Sequence, residues 1–193
     1  MYKNVYLKKG KEESLKRFHP WIFSGAIQRM DNDIEEGETV RVFTSAGDFI
    51  AIGHYQIGSI AVRVLSFSDV DIDNEFWCAR LESAYRMRLA VGIAGNPDNN
   101  TYRLVHGEGD YLPGLVIDCY GSTAVMQAHS VGMHVCRNEI CQALVQVMGD
   151  RIANVYYKSE TTLPYKADLH QENGFLVGGD ASNVAMENGL KFH

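Results

Sequence analysis

The chain has 193 residues, 46% hydrophobic and 22% charged, a globular balance with enough apolar material for a core. No run of eighteen apolar residues occurs and the basic N-terminus is followed by no apolar stretch, so a membrane span and a secretory signal are excluded and a cytoplasmic location is expected. The net charge of −6 argues against nucleic acid in bulk, but residues 1–29 hold seven Lys or Arg against two Glu, a local +5 that leaves −11 on the remainder.

Strand-like segments dominate the first third. "VYLKK" (5–9) opens, a short polar helical stretch follows near Gly10–Phe18, and Pro20 must end any helix there. "TVRVF" (39–43) and "DFIAIGHY" (48–55) flank "TSAGD", a glycine-containing hairpin loop. "SIAVRVLSF" (59–67) alternates, with Ile60, Val62 and Val64 on one side and Ala61, Arg63 and Leu65 on the other. Short strands at this spacing predict a small β-barrel.

The pattern changes near residues 68–74, where the domain boundary is placed, giving domains over 1–70 and 74–193. Asp73 or Asn74 caps a predicted helix running to about Val91, with Trp77, Leu81, Ala84 and Tyr85 as its apolar stripe. "TYRLV" (101–105), "GLVIDCYG" (114–121) and "STAVMQAHS" (122–130) read as strands, the last two joined across Gly121-Ser122. Cys136, Ile140, Ala143, Leu144 and Val147 predict an amphipathic helix ending at Gly149, and "IANVYYK" (152–158) a further strand. Asn188-Gly189 then signals a two-residue hairpin between Val184–Glu187 and Leu190–His193. The expectation for this region is a small α+β domain with helices on one face.

Chemistry is sparse. Cys78, Cys119, Cys136 and Cys141 make neither a C-x-x-C pair nor a zinc spacing, which fits buried thiols in a reducing compartment. His106, Glu108 and Asp110 alternate, so on a strand they share a face and offer an acid/base pair, a metal site or a small hydrolase centre. Gly107 and Gly109 between them, and Pro113-Gly114 after them, favour a structural loop. No glycine-rich phosphate loop, G-x-S-x-G elbow or H-E-x-x-H occurs, so no nucleotide site is legible and no cofactor is expected in this segment. The basic head is the better functional candidate: Lys8, Lys9, Lys11, Lys16 and Arg17 stand beside His19 and Trp21, and such cations bind phosphate without reading sequence. Arg63 suits either a snorkelling barrel position or an RNA contact. Trp21 and Phe23 suit base stacking, but "PWIF" reads first as core.

"KGKEESLKRFHPWIFSGAI", "GETVRVFTSAGDFIAIGHY", "SIAVRVLSF", "TYRLVHGEGDYLPGLVIDCYG" and "VMQAHSVGM" together resemble the N-terminal half of the RlmI-type ribosomal RNA large-subunit methyltransferases, in order over essentially the whole chain. The resemblance implies a PUA domain over residues 1–70 and a central α+β domain over 74–193, with the third, Rossmann-like methyltransferase domain absent from this chain. The closing hairpin is then the threshold of that absent domain. It implies a parent enzyme that methylates carbon-5 of a cytosine in ribosomal RNA from S-adenosylmethionine, this segment being inactive alone and serving RNA recognition. The implied RNA-binding residues are Lys8, Lys9, Lys11, Lys16, Arg17 and His19, with Arg63 and Arg103 beside them. A standalone PUA-type RNA-binding or interaction protein is the alternative. An unpaired last strand also allows a homodimer.

Overall fold

Val40 and Val42 alternate with polar neighbours along Thr39–Phe43, and that period-2 pattern buries one side of a strand. The structure, a computed structural model, describes residues 2–164, 169, 172–179 and 184–192. It divides into two compact units, Met1–Ile72 with Ser130–Val135, and Asp73–His129 with Cys136–His193.

The first unit has six strands: β1 (Lys3–Leu7), β2 (Trp21–Phe23), β3 (Ile27–Met30), β4 (Thr39–Phe43), β5 (Phe49–Tyr55) and β6 (Ile60–Ser66). They form one sheet in the order β2-β6-β5-β4-β1-β3, in which only β1 and β4 pair in parallel. Bulges at Tyr6/Leu7, Ile22/Phe23, Val42/Phe43 and Ile52/Gly53 tighten its twist. The sheet therefore curls round a single core to which β1, β2, β4, β5 and β6 contribute, with Val5, Val42 and Val62 fully buried in it. Gly53 is required where β5 crosses β6, because a Cβ there would lie 2.1 Å from the carbonyl oxygen of Arg63. The polar stretch after β1 forms only a single 3₁₀ turn, Leu15–Arg17, ended by Phe18 in the left-handed region at φ 61°. Ala61 and Leu65 are buried as well as Val62 and Val64, so β6 is covered on both faces rather than one.

The second unit opens with α1 (Asn74–Ala90), where the Asp73 carboxylate accepts from the Phe76 N–H at 3.0 Å. Trp77, Leu81 and Ala84 are its buried stripe. Then come β7 (Thr101–His106), β8 (Leu115–Tyr120) and β9 (Thr123–Ala128); after α2 (Val131–Val135), which belongs to the first unit, the second resumes with α3 (Arg137–Met148), β10 (Asn154–Tyr157) and β11 (Gly174–Val177). The sheet order is β11-β10-β9-β8-β7, and α1 and α3 pack on each other while touching β7 and β11. A separate hairpin of β12 (Ala185–Glu187) and β13 (Leu190–Phe192) turns at Asn188 and Gly189, both with the positive φ that a type I′ turn needs. It is moored by the Met186 N–H on Asn100 Oδ1 at 2.6 Å and the Gly189 N–H on the Asp98 carbonyl at 2.9 Å. His193, the expected end of the last strand, lies outside the described residues.

The expected fold class, a PUA-like β-barrel followed by a small α+β domain with the Rossmann-like methyltransferase fold absent, needs correction here. β9 and β10 are parallel neighbours, joined by a connection that carries α2 and α3. Parallel strands need such a crossover, and it is the repeating unit of doubly wound sheets. The absence of a glycine-rich loop does not argue against it, since that loop serves phosphate binding and not strand pairing. The predicted helix from Cys136 to Gly149 is α3, with those two residues as its caps, and the short helix α2 before it was not expected. Among the described residues no helix is long and apolar enough to cross a membrane.

Candidate nucleic-acid interface

At the end of β1 the chain enters a turn that carries three lysines. The Lys11 N–H donates to the Lys8 carbonyl at 3.0 Å, with Gly10 between them in the left-handed region at φ 78°. Lys8 fixes this turn to the β2–β3 connection: its N–H donates to Ala26 at 2.8 Å and its Nζ to the Gly25 carbonyl at 2.8 Å. Leu15 sinks into the core while Lys16 and Arg17, one and two residues on, stay exposed. A single helical turn with one apolar anchor thus presents the cations outward.

The expectation of "PWIF" as core holds only for Ile22. Period-2 alternation on the edge strand β2 buries Ile22, leaves Trp21 half-buried and turns Phe23 out, 50% exposed. Phe18 is 69% exposed and meets Phe67 edge-on at 5.2 Å. His19 stands beside β2, its ring 5.8 Å from Trp21 and 6.4 Å from Phe23. His19 Nδ1 accepts from the Trp21 N–H at 3.2 Å, so in the neutral ring the proton sits on Nε2. A hollow of about 320 Å³ lies here, lined by Lys11, Leu15, Trp21, Phe23 and Gly25 among others.

The cations differ in how far they are already engaged. Lys16 pairs with Glu13 at 2.7 Å and lies 3.9 Å from Glu12. Their hydrogen bond lowers the Glu13 carboxyl below its usual range and raises the Lys16 ammonium. Lys9, Lys11 and Arg17 are exposed and make no ion pair among the described residues. Arg29, whose charge is visible in sequence but whose placement is not, lies over the Tyr6 ring at 3.4 Å. Arg63 is half-buried and donates to Gln56 Oε1 at 3.0 Å. In the second unit, Arg103 uses its guanidinium on both Asp118 oxygens, at 2.8 and 3.0 Å, and meets His106 Nδ1 at 3.2 Å.

His106, Glu108 and Asp110 do not share a strand face. Residues Gly107–Asp110 form a 3₁₀ turn, and the Asp110 carboxylate folds back to accept the His106 N–H at 2.6 Å. Among the described residues no group of three or more His, Cys, Asp or Glu is placed to hold a metal ion. The four cysteines are free thiols, and burial pushes Cys119 and Cys136 up to about 12. Neither observation supports hydrolytic or metal chemistry at these residues.

Residues 5–67 match the family model of the PUA-like domain. The chain is 36% identical over 196 residues to the ribosomal RNA large subunit methyltransferase I of Aliivibrio fischeri, covering 97% of this chain and 48% of that protein. It is 38% identical over 194 residues to the protein of the same name from Vibrio parahaemolyticus, covering 97% of this chain and 47% of that one. The chain spans about half the length of the curated relatives it matches. In fold it superposes on a putative SAM-dependent methyltransferase from Streptococcus mutans with a TM-score of 0.78 at 20% identity, over 100% of this chain and 48% of that chain. A putative methyltransferase complexed with SAH gives the same TM-score of 0.78 at 21% identity, over 100% of this chain and 47% of that one. This superposition along the full chain overturns the expectation that the methyltransferase fold is absent from it.

Proposed function

Because this chain is a relative of the ribosomal RNA large subunit methyltransferases along 97% of its length and carries a PUA-like domain, we propose that it recognises ribosomal RNA for a SAM-dependent methyl transfer in the cytoplasm. The observation that carries this reading is the exposed trio Lys9, Lys11 and Arg17, without an ion pair among the described residues, beside the exposed rings of Phe18 and Phe23. Lys and Arg displace counterions from phosphates and so supply affinity, while the rigid edge of the sheet fixes how the RNA lies. Lys8 and Lys16 serve differently: one ties the turn to Gly25, the other is held by Glu13, so both shape the surface on which the other cations stand. Carbon-5 of a cytosine is the target this reading favours.

S-adenosylmethionine supplies the methyl group in such a reaction. Open sheets with parallel strands take ligands beyond the carboxyl ends of those strands. At the ends of β9 and β10 the residues present do not fit the cofactor. Ser159, fully buried, accepts the Ala128 N–H at 2.8 Å, and Thr162 Oγ1 donates to the Ala128 carbonyl at 2.7 Å. Among the described residues, both backbone polar groups of Ala128 at the end of β9 are thus already taken, and no step is assigned to the cofactor there.

The test is the salt dependence of binding to transcripts of large-subunit ribosomal RNA. The intact chain is expected to lose affinity steeply with salt, and Lys9→Ala with Lys11→Ala and Arg17→Ala to flatten the slope by about 0.7–0.9 for each phosphate no longer neutralised. Binding indifferent to salt, or an unchanged slope in the triple variant, overturns the proposal.

A further inference from the structure

We propose that the hollow beside β2 takes one unpaired nucleobase of RNA, stacked on Phe23, with Lys11 at its rim meeting the adjoining phosphate. The inference rests on the RNA-recognition reading and specifies what that surface reads. Phe23 is half exposed on an edge strand whose neighbour Ile22 is buried, so its ring is directed outward by strand geometry, not by a shortage of core. Lys11 and Phe23 line the same hollow, which places a cation and an aromatic face within the span of one nucleotide. Its volume of about 320 Å³ is at the small end of ligand pockets, room for one flat ring system and not for a base pair with its neighbours. His19, at 6.4 Å from Phe23, extends the aromatic surface.

The chemistry selects the occupant. In a duplex every base face is covered by the next base pair, so an exposed ring has nothing to stack on. A bulged, looped or flipped base offers its face. The wall argues for an anionic partner: Lys11 lines it, Lys8 Nζ reaches the carbonyl of its lining residue Gly25, and no Asp or Glu is among the lining residues. An apolar protein segment would gain nothing from that charge, whereas a nucleotide uses ring and phosphate together.

The experiment compares two RNA hairpins of equal length, one with a single bulged 2-aminopurine and one with that base paired. Binding to the intact chain is followed by 2-aminopurine fluorescence and by affinity at fixed salt. The bulged hairpin is expected to bind about ten-fold tighter and to be quenched on binding. Phe23→Ala should bring the bulged hairpin down to the affinity of the paired one and abolish the quenching, and Phe23→Trp should restore both, which separates stacking from folding. Equal affinity for the two hairpins with salt dependence intact overturns this inference and leaves the RNA-recognition reading standing. Parallel loss of both hairpins in Phe23→Ala also overturns it, marking Phe23 as structural. Binding of neither hairpin at low salt overturns both.

Discussion

Arg88, in the last turn of α1, grips both carboxylate oxygens of Asp110, with Nη2 to Oδ2 at 2.7 Å and Nη1 closing on Oδ1. Both side chains are largely withdrawn from water, 13% and 8% exposed. Arg88 Nε also donates to the Arg103 carbonyl at 2.9 Å, so one guanidinium ties the helix to β7 and to the 3₁₀ turn after it. The same Asp110 caps the turn through the His106 N–H. The motif "HGEGD" is thus a bracket between helix and sheet, and its carboxylate is occupied on every side.

Removing one partner should therefore cost far more than removing both. Arg88→Ala leaves a buried carboxylate without its cation, and about 3 kcal/mol of stability is expected to be lost in urea unfolding. Arg88→Ala with Asp110→Asn should recover at least about 1 kcal/mol of that, since the stranded charge is gone. Strict additivity in the cycle would show that the two groups do not act as a pair. RNA affinity, carried by the other unit in the proposal above, should not change.

Much of this was legible in sequence, and the failures have physical causes. The strands at 39–43 and 49–55 follow from the glycine-containing loop between them and that at 60–66 from alternation in its sequence, the helix from Asp73 follows from its cap and stripe, and Asn188-Gly189 names its own turn. The parallel pairing of β9 with β10 was not legible, because register between strands thirty residues apart leaves no local signature. The exposure of Phe23 was hidden for a different reason: apolar residues are read as core unless the strand is known to be an edge. The glycines of "HGEGD" did point to a turn, but nothing local told that its anchor is Arg88, twenty-two residues earlier.

A pH effect follows from His54. The residue is 2% exposed, and burial, with Arg63 adding its positive charge, brings its imidazole down to about 4 from an ordinary 6.5. The folded chain therefore keeps His54 neutral where the unfolded chain protonates it. Stability contributed by the neutral ring is complete above pH ~6.5 and is lost progressively as the pH falls to ~4, by about 3 kcal/mol in all. His129, lowered chiefly by partial burial, adds a smaller loss in the same direction. His54→Gln should flatten the slope of unfolding free energy between pH 6.5 and 4, measured by urea titration at each pH. A slope equal to that of the unaltered protein would mean that His54 does not titrate in this window.

The reason His54 is so dry is Gly132 of α2. A Cβ built at Gly132 would fall 2.2 Å from Cγ of the His54 ring, closer than any real contact, so the glycine lets the ring approach the helix backbone. Helix propensity alone predicts that Gly132→Ala stabilises α2 by about 1 kcal/mol. Overpacking against a buried ring opposes this at about 1–3 kcal/mol, and because the ring is enclosed it should win. Gly132→Ala is thus expected to destabilise, in spite of its better helix former. His54→Ala destabilises too, by opening a cavity, but it vacates the space the new methyl needs. The double variant should then be at least about 1 kcal/mol more stable than the two single effects added together. Additive effects in urea unfolding would place Gly132 and His54 out of reach of each other and remove the explanation offered for the lowered imidazole.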